Sequence, residues 1–298
     1  MKTKKKPIFL FFTLIVLGIA AVLLFKPLAT TNPLQTVLSI TGITVWLSFL
    51  FGLVSGDYSW TDRLWSIMPV VFAWIYAAKG GFAPPMLVAS LLVTLWGARL
   101  TFNFARRGGY TTAEDYRWPI LQKRIANPLL WQLFNLFFIA FYQQMLFIAF
   151  TSPLYLLALY GPESMTLPLW FASLLFLAFL FLETIADQQQ YTFQQAKYGL
   201  LPKQAVHAQQ YAQGFCSSGL FARSRHPNYL GELGVWYSIY IFASLAIGSF
   251  LNWSLVGPLA LTMLFSISTI FTESITAKKY EEYHQYKKQA SAIIYKFW

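Results

Sequence analysis

Charge is what this chain has least of. Asp, Glu, Lys and Arg together make up only 11% of its 298 residues, against about 25% in an average soluble domain. With 57% of the residues hydrophobic and a mean hydropathy of +0.50, there is too little polar surface to cover a soluble fold of this size. A single cysteine, Cys216, excludes internal disulfides and cysteine-rich metal sites. Three dispersed histidines, His207, His226 and His284, leave no cluster for a metal centre, so no metal is expected. A P-loop and a serine nucleophile elbow are also missing. No internal repeat or low-complexity linker divides the sequence, which predicts one domain over residues 1–298.

What the chain does have is long apolar runs. Runs near the ~20 residues a bilayer requires fall at 8–25, 34–54, 64–80, 85–105, 129–151, 167–187, 229–249 and 254–273. They predict an all-α, polytopic integral membrane helix bundle with about eight transmembrane helices. The 152–166 stretch reads either as a helix end or as a short return segment. Lys2, Lys4, Lys5 and Lys6 precede the first run and resemble the n-region of a signal peptide. The Ile8–Phe25 run, however, is longer than the usual h-region of about 7–15 residues, and further spans follow. Residues 1–30 are therefore read as an additional N-terminal transmembrane helix. Aromatics at 19% suit lipid-facing and interfacial positions.

The net charge of +11 superficially fits nucleic-acid binding, but its distribution argues otherwise. If the N-terminus is inside, Lys26 and Lys79 face outside and Arg99 lies within a span. The other 19 of the 22 Lys and Arg then face the cytoplasm, as the positive-inside rule requires of an even number of spans. Both termini are expected to be cytoplasmic. The expected basic-face partners are anionic lipid and cofactor phosphate, not nucleic acid.

Several polar constellations interrupt the apolar background. The run GLFARSRHPNYLGE, Gly219 to Glu232, places Arg223, Arg225, His226, Asn228, Tyr229 and Glu232 between two apolar segments. Pro227 prevents a helix from running straight through. Helix is expected to restart near Asn228 or Tyr229, with Asn228 as N-cap. A hook of this kind suits a phosphate or carboxylate, through the arginine fork and a helix N-terminus. A plain positive-inside loop would account for the arginines but not for Glu232 at membrane depth. The 105–128 loop carries Arg106, Arg107, Gly108, Gly109, Tyr110, Glu114, Asp115, Tyr116 and Arg117. Its glycines would let backbone approach a phosphate, with Tyr110 or Tyr116 stacking on a base; a solvated turn with acid–base pairs is the other reading. Glu183 and Asp187 are spaced i,i+4 on one helix face. After the last span, Tyr280, Tyr283 and Tyr286 recur among Lys278, Lys279, Lys287 and Lys288, which predicts an amphipathic helix. Nucleotide binding and interfacial anchoring explain this tail equally well. Finally, Asp57 and Asp62 flank Tyr58 and Trp60 ahead of a span.

DRLWSIMP at 62–69, LWGARLTFNFARRGGY at 95–110, EDYRW at 114–118 and SRHPNYLGE at 224–232 resemble the pattern of the bacterial DUF1295 group. That group's C-terminal half is similar to the steroid 5-alpha-reductase C-terminal domain. The wider superfamily includes sterol C14 and delta-7 reductases and isoprenylcysteine carboxyl methyltransferases. The resemblance covers residues 57–298 and implies a catalytic region with a cytoplasmic-facing nucleotide site, in a bacterial inner membrane. It implies NADPH as cofactor and a sterol-like or isoprenoid lipid as substrate. Cofactor contacts are carried over to Arg107, Tyr110, Tyr116, Arg117, Asp187, Arg223, Arg225, His226, Asn228, Tyr229, Lys279 and Tyr286, with Glu232 orienting the arginines. Where those reductases have an asparagine one turn before the aspartate, this chain has Glu183. Asp62 matches the carboxylic acid that assists protonation of the substrate carbonyl. Trp96 stands nearest to their catalytic tyrosine, and its indole N–H can only donate a hydrogen bond. RHPNYLGE resembles the methyltransferase branch equally well, which implies S-adenosylmethionine as the alternative cofactor. A non-enzymatic lipid-binding protein with a degenerate site is the third reading.

Overall fold

The computed structural model describes residues 5–26, 31–111, 114–204 and 208–295; Lys2 and Lys4 of the basic leader lie outside them. Helix accounts for 78% of the structure, and no strand occurs among the described residues. Among the described residues, seven helical runs are long and apolar enough to cross a membrane: Pro7–Phe25, Pro33–Ser55, Pro84–Arg106, Pro128–Tyr160, Leu167–Lys197, Pro227–Ile247 and Trp253–Lys279. The protein is a multi-pass integral membrane helix bundle. The helices are α1 (Lys5–Phe25), α2 (Pro33–Ser55), α3 (Met68–Lys79), α4 (Pro84–Arg106), α5 (Arg117–Ile125), α6 (Pro128–Phe134), α7 (Gln143–Tyr160), α8 (Leu167–Lys197), α9 (Ala208–Gln213), α10 (Pro227–Ile247), α11 (Val256–Lys279) and α12 (Tyr283–Gln289).

Proline and asparagine set many of the helix starts. Pro33, Pro84 and Pro128 each occupy the first helical turn, where a missing N–H costs nothing. The Asn32 side chain accepts from the Leu34 N–H at 2.9 Å, and that of Asn127 from Leu129 and Leu130 at 2.9 and 3.0 Å, satisfying N–H groups that lack helical partners. Two spans differ from expectation. The 64–80 run forms a 3₁₀ turn at Asp62–Leu64 and then the twelve-residue α3, because Pro69 sets the helix start. The 152–166 stretch contains no return segment: α7 continues through Pro153 to Tyr160. It is joined to α6 by a π-helical stretch, Asn135–Tyr142, along which Phe134, Phe138 and Tyr142 stack at 4.9 and 5.4 Å.

The chain divides into two compact units, Met1–Ser173 with Ile239–Gly257 and Leu174–Ser238 with Pro258–Trp298. In the first, α3 packs on α4 and α7, and α2 packs on α1 and α7. A polar tie crosses the α2–α7 interface. The Thr44 hydroxyl donates to Gln144 Oε1 at 2.5 Å, and Gln144 Nε2 donates to Ser48 at 3.1 Å. Such ties substitute for the hydrophobic drive that helices lack in lipid. Gly97 brings α4 onto the 62–70 segment, since a Cβ there would meet Ser66 O at 2.6 Å.

In the second unit α8 and α10 cross at two glycines. A Cβ on Gly231 would meet Glu183 Cβ at 2.5 Å and its Cα at 2.9 Å, and one on Gly234 would strike the Phe179 ring. Close backbone approach through small residues is how helices pack in membranes. Here it turns the Glu183 and Asp187 face of α8 toward the start of α10.

Candidate functional site

In the first unit two loops lock together through the motifs they carry. The Tyr58 N–H donates to Glu114 Oε1 at 2.8 Å, and the Asp115 N–H donates to the Ser59 hydroxyl at 2.9 Å. Arg63 is fully buried, bonded to Asp57 at 2.7 Å and to the Gly109 carbonyl at 3.0 Å, with its guanidinium 4.5 Å from the Trp60 ring centre. Trp118 Nε1 donates to Asp62 Oδ2 at 2.9 Å. Burial pushes the Asp62 carboxyl up from the usual 3.8 to about 6. The Asp115 charge pushes the same way, while Arg117, Trp118 and Ser59 pull partly back. Asp115 itself grips Arg117 with bonds of 2.7–3.1 Å.

The candidates in this unit fall differently from expectation. The indole on Asp62 is that of Trp118; Trp96 is fully buried on α4. Arg117 is engaged by Asp115. Tyr110 sits edge-on to Phe104, with its hydroxyl 3.3 Å from the Arg63 carbonyl. Arg107 and Tyr116 are exposed, at the C-cap of α4 and the N-cap of α5.

In the second unit the hook closes on the chain's last described residues. The Arg225 and His226 N–H groups donate to the Ser291 and Ala292 carbonyls at 2.9 and 3.0 Å, and the Ser224 hydroxyl donates to Ile293 O at 2.7 Å. The Arg225 side chain is bidentate to Glu273, with Nε to Oε1 at 2.6 Å and the second nitrogen to Oε2 at 3.2 Å. Its remaining nitrogen donates to the Lys287 and Ala290 carbonyls. His226 Nε2 and Lys287 Nζ reach the same carboxylate, each at 3.1 Å. Glu273 is thus the group around which the hook is built. Glu232, expected to orient the arginines, accepts from the Trp236 indole at 3.2 Å, one turn along α10. A carboxylate alone in the apolar α11 stretch was the available signal for Glu273.

Helix α10 begins at Pro227, so Asn228 lies inside the first turn and is not the N-cap. Its Nδ2 faces Asp187 Oδ1 at 3.4 Å, and Asp187 and Glu183 are both buried. Tyr229 stacks on His226 at 5.0 Å and lies 4.6 Å from the Phe265 ring. Arg223 is exposed. The tail is not one continuous helix: it breaks after Lys279 and restarts as α12. The break lets Tyr283 and Tyr286 pack on Phe215 at 5.1 and 5.2 Å. Tyr286 donates to the Phe221 carbonyl, and burial raises its phenol pKa above the usual value. It acts as a core residue. Lys279 lies over the neighbouring Tyr280 ring at 5.3 Å. Among the described residues no three His, Cys, Asp or Glu side chains are grouped as metal ligands.

These features define a polytopic membrane protein with two polar centres, an acid-and-indole loop clasp in one unit and a carboxylate-centred basic hook beside an acid–amide pair in the other. The chain belongs to the DUF1295 family, proteins of unknown function, which it matches over residues 48–290. An uncharacterised protein of Schizosaccharomyces pombe is 36% identical over 267 residues, covering 83% of this chain and 77% of the relative. No solved structure matches the chain.

Proposed function

We propose that the protein is an NADPH-dependent membrane reductase that saturates a conjugated carbon–carbon double bond in a sterol-like or isoprenoid lipid. The observation that carries this reading is the meeting of Asp187 and Asn228, 3.4 Å apart where α8 and α10 close at Gly231. A buried carboxylate facing an amide at the end of a membrane-spanning helix is costly unless it has a function. Asp187 can accept from a ribose hydroxyl while Asn228 both donates and accepts. Arg223, Lys278 and Lys279 supply positive charge for phosphates. This donor set fits a nucleotide of high negative charge. Arg225 and His226 serve it indirectly, by holding the hook's shape through Glu273. NADPH, when bound, supplies a hydride, and the protein supplies orientation and charge stabilisation. Asp62 holds a proton up to about pH 6 with Oδ2 fixed by Trp118, which suits a group that polarises or protonates a substrate carbonyl. In this reading the nucleotide loops and both termini face the cytoplasm, and the lipid enters sideways between helices.

Thermal shift of the detergent-purified protein with NADPH and with S-adenosylmethionine tests the assignment. A ligand at a hundredfold excess over its dissociation constant stabilises by about 2.7 kcal/mol. Stabilisation by NADPH alone is expected; stabilisation by the methyl donor alone would transfer the protein to the methyltransferase branch.

A further inference from the structure

A pocket of about 170 Å³ opens between α8 and the 208–219 segment, lined in part by Gln188, Gln189, Gln210, Ser218, Phe193 and Tyr211. Two of its amides have their orientation imposed by the fold. The Leu220 backbone N–H donates to Gln189 Oε1 at 3.0 Å. The Ser217 N–H and the Ser218 hydroxyl donate to Gln210 Oε1 at 3.3 and 3.0 Å. A backbone N–H can only be met by an amide's oxygen, so both Nε2 groups remain available as donors. Gly219, at φ +61°, makes this possible: a Cβ there would meet the Gln189 amide at 2.7 Å.

The remaining lining narrows the ligand. No acidic or basic side chain is among the described residues that line the pocket, so it does not select for a phosphate. Its volume is below the roughly 300–1,000 Å³ of pockets that enclose a drug-sized molecule; one ring system fits. Phe193 and Tyr211 lie parallel, 5.7 Å apart and 3° from coplanar, and form an apolar wall. The matching chemistry is a flat, uncharged heterocycle with acceptor nitrogens.

We infer that this pocket receives the adenine ring of a nucleotide, which it recognises through the spare amide N–H groups of Gln189 and Gln210. The inference rests on the nucleotide-binding reading above. Its location is consistent with that reading, since the first lining residue, Gln188, directly follows Asp187. NADPH and S-adenosylmethionine both carry adenosine, so the pocket accounts for the part they share.

Adenosine is the probe, titrated by calorimetry into the full-length protein in detergent. Gln189→Glu and Gln210→Glu keep the oxygen that the backbone needs and remove the donor. Each is expected to weaken adenosine binding about tenfold, the value of one hydrogen bond, without lowering the melting temperature. Hydrogen exchange on the unaltered protein gives a second readout, in which adenosine should slow exchange across residues 208–220. No protection there, or NADPH binding undiminished in the double variant, overturns the adenine pocket and leaves the reductase reading standing. Glutamine-dependent adenosine binding in a protein that ignores NADPH overturns the reductase reading and keeps the pocket.

Discussion

Burial and the Asp115 carboxylate both oppose ionisation of Asp62, so this group makes stability depend on pH in the reverse of the usual carboxylate pattern. The folded state binds its proton more tightly than the unfolded chain does. The linked stability is therefore complete below about pH 4 and is lost as pH rises through about 6. Asp62→Asn carries no charge at any pH and should abolish that slope. Its stability relative to the native chain should rise by about 2–3 kcal/mol between pH 4 and pH 7, read as diverging melting temperatures. Parallel melting profiles would show that Asp62 is not held protonated. Arg225 gives the second residue-scale prediction. From sequence its fork was matched to a phosphate; in the structure the fork is occupied by Glu273 and two tail carbonyls. Arg225→Lys should therefore destabilise the protein without any ligand, by about 1.5–3 kcal/mol from the lost charge-assisted bond, and lower its melting temperature. Unchanged melting with weakened NADPH binding would restore the phosphate role. The hook was legible in the sequence because its residues are contiguous. Glu273 was not, because it lies 48 positions from Arg225 and its local surroundings are apolar. Trp118 and Asp62, 56 positions apart, are not legible as a pair for the same reason, although each lies in a recognisable motif.

At the scale of elements, the α8–α10 crossing depends on a glycine. Gly231→Ala places a methyl group 2.5 Å from Glu183 Cβ and 2.9 Å from its backbone, where no side-chain rotation relieves it. Overpacking of this kind costs about 1–3 kcal/mol. Because Asn228 lies in the first turn of the same helix, its contact with Asp187 should loosen too. The variant is expected to melt earlier and to bind NADPH more weakly, whereas Gly42→Ala, with nothing within 4 Å, should do neither. Equal behaviour of the two variants would mean that the crossing is not close. The apolar periodicity announced these helices and the i,i+4 spacing of Glu183 and Asp187. It could not announce the break after Lys279, which is set by aromatic packing on Phe215 and by Lys197, whose ammonium bonds the Tyr280 hydroxyl and the Gly214 carbonyl at 2.7 Å each.

For the whole molecule, topology turns on α3. Its twelve residues span about 18 Å at 1.5 Å each, short of a hydrocarbon core of about 30 Å. Whether it crosses decides on which side every later loop lies. The basic asymmetry favours crossing. Glu163→Cys is then expected to react with an impermeant maleimide from outside, and Lys203→Cys only after permeabilisation. The opposite labelling pattern would remove α3 from the spans. The native Cys216 should stay silent in this assay, because it is 7% exposed and burial pushes its thiol up to about 12.

The pairing of residues 224–226 with 291–293 also sets an order of events during synthesis. The hook's partner segment is encoded some 67 positions later. At about 5–20 residues per second the ribosome needs roughly 3–13 s more to make it. During that interval α10 can already be in the membrane while Arg225 has neither Glu273 nor the tail carbonyls. The newborn loop must then be held by water and lipid headgroups, and it acquires its shape only once residues 291–293 have been made.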